Sequence, residues 1–114
     1  MTQAKLDKLV KLWTKRLRLQ DWHITVRVVP QIEGVVTQGS IDGVLGGTTC
    51  KPTFMEADIQ VRSGLEDGET ELTLVHELLH VRFGGMAPPE GLYDYLFEMG
   101  IEMTARSLME AYAN

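Results

Sequence analysis

The sequence predicts a single α+β domain spanning residues 1–114, and three observations predict it. Apolar residues recur at helical spacing at the beginning of the chain and twice towards its end, with short alternating β-branched runs between. That order, helix, several strands, helix, helix, is an α+β arrangement with a small, mostly antiparallel or mixed sheet of three to four strands. The length of 114 residues suits one compact domain, and 44% hydrophobic with 24% charged residues is the balance of a chain that buries a core.

The first helix is expected over residues 5–19. Leu6, Leu9, Val10, Trp13 and Leu17 form one apolar stripe, and lysines and arginines fill the opposite face. Residues 22–29 (WHITVRVV) are rich in β-branched side chains and stop at Pro30, which reads as a strand with Trp22, Ile24, Val26 and Val28 on one face. Glycines 34, 39, 43, 46 and 47 break the pattern that follows, leaving short strands near 35–38 and 44–51. After a turn at Lys51-Pro52-Thr53, residues 56–62 (EADIQVR) alternate as a further strand, and 63–68 form a turn. A helix is expected from 69 to 83, with Asp67 as its N-cap, Glu69 and Glu71 in its first turn and Gly84-Gly85 as its stop. Pro88-Pro89 falls in a loop, and a last helix runs over 92–112.

Residues 76–80 read His-Glu-Leu-Leu-His. Positions four apart on a helix face the same side about 6 Å along the axis, so His76 and His80 can reach one metal ion without distorting the backbone. Imidazole suits zinc, which favours tetrahedral nitrogen and oxygen ligation. Glu77 stands beside the ligand face, where its carboxylate reaches a zinc-activated water and acts as general base. The blander reading, two ordinary histidines, would set two unpaired imidazoles beside Leu72, Val75, Leu79 and Phe83, which is costly if they are buried.

A third protein ligand is expected. The metzincin continuation needs glycine and histidine where this chain has Phe83 and Met86, and His23 lies far upstream. The last helix offers Asp94, Glu98, Glu102 and Glu110. Measured from Ile101 at 100° per residue, Glu98 falls inside the edge of the apolar arc (Phe97, Ile101, Ala105, Leu108, Tyr112), Glu102 on its border and Glu110 away from it. A carboxylate within an apolar face wants a partner, which selects Glu98 as third ligand, with Glu102 or Asp94 the other candidates. Glu102 suits hydrogen bonding to the free ring N–H of a ligand histidine, or else pairing with Arg106 at i+4.

HELLH followed by a helix with Glu98-x-x-x-Glu102 resembles the gluzincins, the thermolysin-type zincin metallopeptidases. The resemblance implies that Glu98 is the third zinc ligand and that the acidic residue four positions on supports a ligand histidine. This chain departs from the pattern in having Glu102 where aspartate is usual, and Phe97 where asparagine usually precedes the ligand glutamate. The wider layout is similar to the small SprT-like HExxH proteins of phages and prophages, carried by Trp22-His23-Ile24, Ala57-Asp58-Ile59, Leu74 to His80 and Ala105-Arg106-Ser107-Leu108. It implies a zincin-like fold, one zinc ion per chain and a peptide or protein substrate, in a phage-like protein acting in the bacterial cytoplasm.

The expected activity is therefore hydrolysis of peptide bonds, with Tyr93 or Tyr95 as oxyanion donors and the strand near 45–50 as the rim against which an extended peptide pairs. Two rivals differ in kind. A non-catalytic zinc-stabilised binding module would not need Glu77. A nucleic-acid-associated protein would use the basic first helix, since Lys5, Lys8, Lys11, Lys15, Arg16 and Arg18 against Asp7 give residues 1–20 a charge of +5 within a net −5; a solvated helix face explains the same charges. No apolar run reaches the roughly 20 residues of a membrane span, the N-terminus lacks the apolar core of a signal peptide, and the lone Cys50 fits a reducing compartment, so a cytoplasmic protein without membrane partners is expected.

Overall fold

The structure, a computed structural model, describes residues 1–32, 45–83 and 92–113, with side chains in the last segment described from Leu96 onward. Its elements are α1 (Gln3–Arg16), β1 (His23–Val29), β2 (Gly46–Lys51), a 3-10 turn (Pro52–Phe54), β3 (Glu56–Arg62), α2 (Asp67–Arg82) and α3 (Leu92–Ala111). Three helices and a three-stranded mixed sheet make the α+β arrangement expected from the periodicities. The expected strand near 35–38, the Gly84-Gly85 stop and the Pro88-Pro89 loop lie outside the described residues.

The strand order is β1-β3-β2. β3 runs parallel to β1, with Val26 opposite Ile59, and antiparallel to β2, with Thr48 opposite Ile59. The parallel pair needs a long crossover, which the chain supplies between β1 and β3. Alternation along β3 buries Ala57, Ile59 and Val61 on the face towards the helices. β2 therefore alternates Gly46, Thr48 and Cys50 inwards against Gly47, Thr49 and Lys51.

α1 begins at Thr2, whose Oγ1 accepts from the Lys5 N–H at 3.2 Å. It stops at Arg16, three residues before the expected end, and the reason is local. Arg18 adopts φ 59°. The Arg18 N–H donates to the Lys15 carbonyl and the Leu19 N–H to the Thr14 carbonyl, the paired bonds of a Schellman cap. The cap folds Leu19 back into the core, where it is 2% exposed.

α2 is the central helix. Leu74, Val75, Leu78, Leu79 and Val81 are buried, and α1, α3, β2 and β3 all pack against it. Its N-cap is Glu66 rather than the expected Asp67. Asp67 is the first helical residue and turns to the Lys5 ammonium at 2.9 Å and the terminal amine at 3.5 Å, cations that outcompete a capping role. Helix α1 is fastened to its neighbours through Trp13, which is fully buried and donates from Nε1 to Glu71 at 2.7 Å. Tyr112, just past α3, meets the Trp13 ring edge-on at 5.5 Å, and the Arg16 guanidinium lies 4.0 Å from the Tyr112 ring centre. No described helix is long and apolar enough to cross a membrane.

Candidate metal centre

α2 and α3 together carry the polar cluster that the core otherwise excludes. Ile101 and Ala105 of α3 are buried, which sets Glu98 and Glu102, one turn apart, beside the α2 face bearing the histidines. The Glu98 carboxylate bridges the two imidazoles: Oε2 lies 3.0 Å from His76 Nε2 and Oε1 lies 2.7 Å from His80 Nε2. The rings stand 5.1 Å apart, and Phe97 packs 5.9 Å from the His80 ring. One ligand atom from each of His76, His80 and Glu98 lies within 4.8 Å of the other two, the single such group of three among the described residues.

The remaining nitrogen of His76 is also engaged. Its Nδ1 lies 2.8 Å from Glu102 Oε2, while Glu102 Oε1 is 3.3 Å from Arg106 Nε. The two roles weighed for Glu102, histidine support and i+4 pairing with Arg106, thus use different oxygens of one carboxylate. With Nδ1 protonated towards Glu102, Nε2 of the neutral ring is an acceptor aimed at the cluster.

Burial does not explain Glu98 in the way the helical arc suggests. Its side chain is 51% exposed, whereas that of Glu102 is 37% exposed. Glu98 meets the histidines by reaching across the rim from one turn nearer the start of α3, and Glu102 takes the more sheltered place. Asp94, Tyr93 and Tyr95 belong to the first turn of α3, and their side chains lie outside the described residues. His23 opens β1 in register with Glu56, exposed on the sheet and outside the cluster.

Glu77, the residue after His76 on α2, is 6% exposed. Burial raises its pKa, while the charges of His80 and His76 and a hydrogen bond from Thr48 pull it back. Thr48 Oγ1 lies 3.2 Å from Glu77 Oε2 and 3.4 Å from the Glu77 carbonyl. The strand that brings Thr48 there comes close because Gly46 has no side chain. A Cβ at Gly46 would stand 2.7 Å from Thr73 Cγ2 and 3.0 Å from Glu77 Cγ. Sequence reasoning placed this strand at the rim but missed Thr48 as a partner of Glu77. The signal for it is the alternation from Gly46, which puts Thr48 on the same face.

The electrostatics of the metal-free cluster follow from these contacts. Burial is the largest single influence on His76 and lowers its pKa, but Glu98, Glu77 and Glu102 together outweigh it and raise the pKa to about 9. The hydrogen bonds from His76 and His80 hold the Glu98 carboxyl down at about 2, against a smaller upward effect of burial. Without a metal the cluster is a histidinium–carboxylate pair. The donor set, two imidazole nitrogens and a carboxylate converging on one point, equally fits a zinc ion. No family model, curated protein or solved structure matches the chain.

Proposed function

We propose that this protein is a zinc-dependent peptide-bond hydrolase in which His76, His80 and Glu98 hold the metal and Glu77 is the general base. One observation carries the reading: a single carboxylate spans the Nε2 atoms of two histidines at i and i+4, with a buried glutamate next to the first of them. Three protein ligands and an open fourth position are the make-up of a catalytic rather than a structural zinc site. Zinc bound there supplies a Lewis acid and lowers the pKa of a water in the open position.

The chain's own residues divide the remaining work. Glu102 holds His76 by Nδ1, fixing the tautomer that leaves Nε2 free for the metal. Glu77 lies where burial raises its proton affinity, which moves a carboxylate towards the range a base needs near neutral pH. It takes the proton of the attacking water and later gives it to the leaving amine. Among the described residues β2 pairs with β3 on one side only, and an extended peptide adding to its other side would run past Glu77. Tyr93 and Tyr95 are proposed as oxyanion donors from the first turn of α3.

The test is metal content followed by turnover. Purified protein is expected to hold about one zinc per chain, sharply reduced in Glu98→Ala prepared in parallel. A peptide library is then screened with Glu77→Gln as the control, which retains zinc and loses cleavage. Zinc without cleavage in either protein would leave a zinc-stabilised binding module, and no zinc even after reconstitution would remove the enzyme reading altogether.

A further inference from the structure

The terminal torsion of a glutamate is broad, so a general base on this side chain needs something to fix its carboxylate. α2 alone does not fix it: the buried hydroxyl one turn earlier on the same face, Thr73, donates to the Glu69 carbonyl at 2.8 Å. Among the described residues the hydroxyl that hydrogen-bonds the carboxylate is that of Thr48, 3.2 Å from Oε2, and it comes from a different element, β2. Threonine is stiff at χ1, and on a strand paired along its length with β3 its hydroxyl is a rigid donor.

Two features show that this contact is built into the packing rather than incidental. Gly46 lies two residues earlier on the same face of β2 and lets the strand approach until any Cβ would strike Thr73 and Glu77. The Thr48 hydroxyl has a single proton, and its two acceptors are the carbonyl and the carboxylate of the same residue. The mid-helix carbonyl already serves the α2 ladder, so the proton is best used on the carboxylate, the stronger acceptor. Donation to Oε2 leaves Oε1 free to face the reacting water.

We infer that Thr48 is a positioning residue of the site: its hydroxyl, carried by β2, holds the Glu77 carboxylate in the orientation for proton transfer. The inference rests on the reading of Glu77 as general base. It also links substrate to base, because a peptide added along β2 loads the strand that carries Thr48.

The test uses Thr48→Val, which keeps the shape and strand propensity and removes the donor, and Thr48→Ser, which keeps the donor. Misplacing a catalytic group by about 1 Å costs on the order of 100-fold. Thr48→Val is therefore expected to lower kcat roughly 10- to 100-fold with KM and zinc content unchanged, and Thr48→Ser to restore kcat to within a few-fold. Unchanged kcat in Thr48→Val would overturn the proposal, as would a Thr48→Ser protein as impaired as the valine variant. If the unaltered chain binds zinc but cleaves nothing, the peptidase reading fails, and crystal structures of the zinc-loaded variants decide the role of Thr48. A Glu77 carboxylate rotated in Thr48→Val and unmoved in Thr48→Ser upholds it; one unmoved in both overturns it.

Discussion

Raising the pH from 6.5 to 9 is expected to weaken the metal-free protein and to strengthen the zinc-loaded one. In the folded metal-free chain His76 has its pKa raised from 6.5 to about 9. A raised histidine contributes stability that is fully present below the unfolded value and is lost as pH climbs through the folded value. The window of loss is therefore 6.5 to about 9. At 1.36 kcal/mol per pKa unit the shift is equivalent to at most about 3 kcal/mol, and Glu98, its main partner, is half exposed, so screening leaves about 1–2 kcal/mol. Glu98 shows the other side of the same contact. Its pKa is lowered from 4.5 to about 2, so its contribution is present above 4.5 and lost as pH falls through about 2. The contributions of these two groups are accordingly both present in full between pH 4.5 and 6.5. Zinc reverses the sign above that range, because the metal takes neutral imidazole and competes with the His76 proton. Each pH unit from 6.5 towards 8.5 should then tighten apparent zinc affinity by up to about tenfold, with about one proton displaced from His76 per zinc at pH 7.5. Urea unfolding with chelator and with buffered zinc, at pH steps from 5 to 9, reads the two curves. Metal-free stability that is flat or rising between pH 6.5 and 9 would refute the paired His76–Glu98 cluster, and zinc affinity independent of pH would remove His76 as a ligand.

Two further outcomes test the scaffold. Gly46→Ala should destabilise the fold by about 1–3 kcal/mol, since its Cβ would press on Thr73 and Glu77, and thermal unfolding that matches the parent would show that β2 is free to shift. Arg18→Gly should stabilise by about 0.5–1 kcal/mol by relieving the left-handed φ of 59° at the α1 cap, and an unchanged or lower melting temperature would argue against that cap.

Most of the secondary structure was legible because periodicity is a property of the chain itself. Ile59 and Val61 alternate with polar residues and stand buried on β3, and Leu74, Leu78 and Leu79 fall where the helical repeat puts them in the core. Boundaries were less legible because they depend on competition between local groups. Asp67 was the better capping residue by type, but the Lys5 ammonium, 62 positions away in sequence, engages its carboxylate. Arg18 carries no sign of a left-handed cap, which glycine would have signalled. The pairing of β1 with β3 in parallel is likewise a long-range choice that alternation within each strand does not encode. At the site, i and i+4 spacing was sufficient to bring His76 and His80 together, and the spacing of 98 and 102 brought two carboxylates to the same histidine. What spacing did not reveal was exposure: an angular position on a wheel does not say how far a side chain reaches along the axis, so Glu98 looked sheltered and is half open. The Thr48 contact is not encoded in spacing, because its partner lies on another element.

The arrangement of the two glutamates across α2 follows from this difference in exposure. Glu77 faces β2, where the sheet excludes water and a carboxylate holds its proton more tightly. Glu98 comes from the open side, where it remains ionised and can meet two imidazoles. Exchanging the two environments would place an ionised carboxylate under the sheet, where burial raises its pKa, and leave the other in water. The single helix α2 thus separates two opposite electrostatic requirements by turning one residue, from His76 to Glu77, through about 100°. That separation depends on β2 staying close on one side and α3 staying docked on the other. Gly46 permits the close approach of β2, and Ala105 is fully buried on α3.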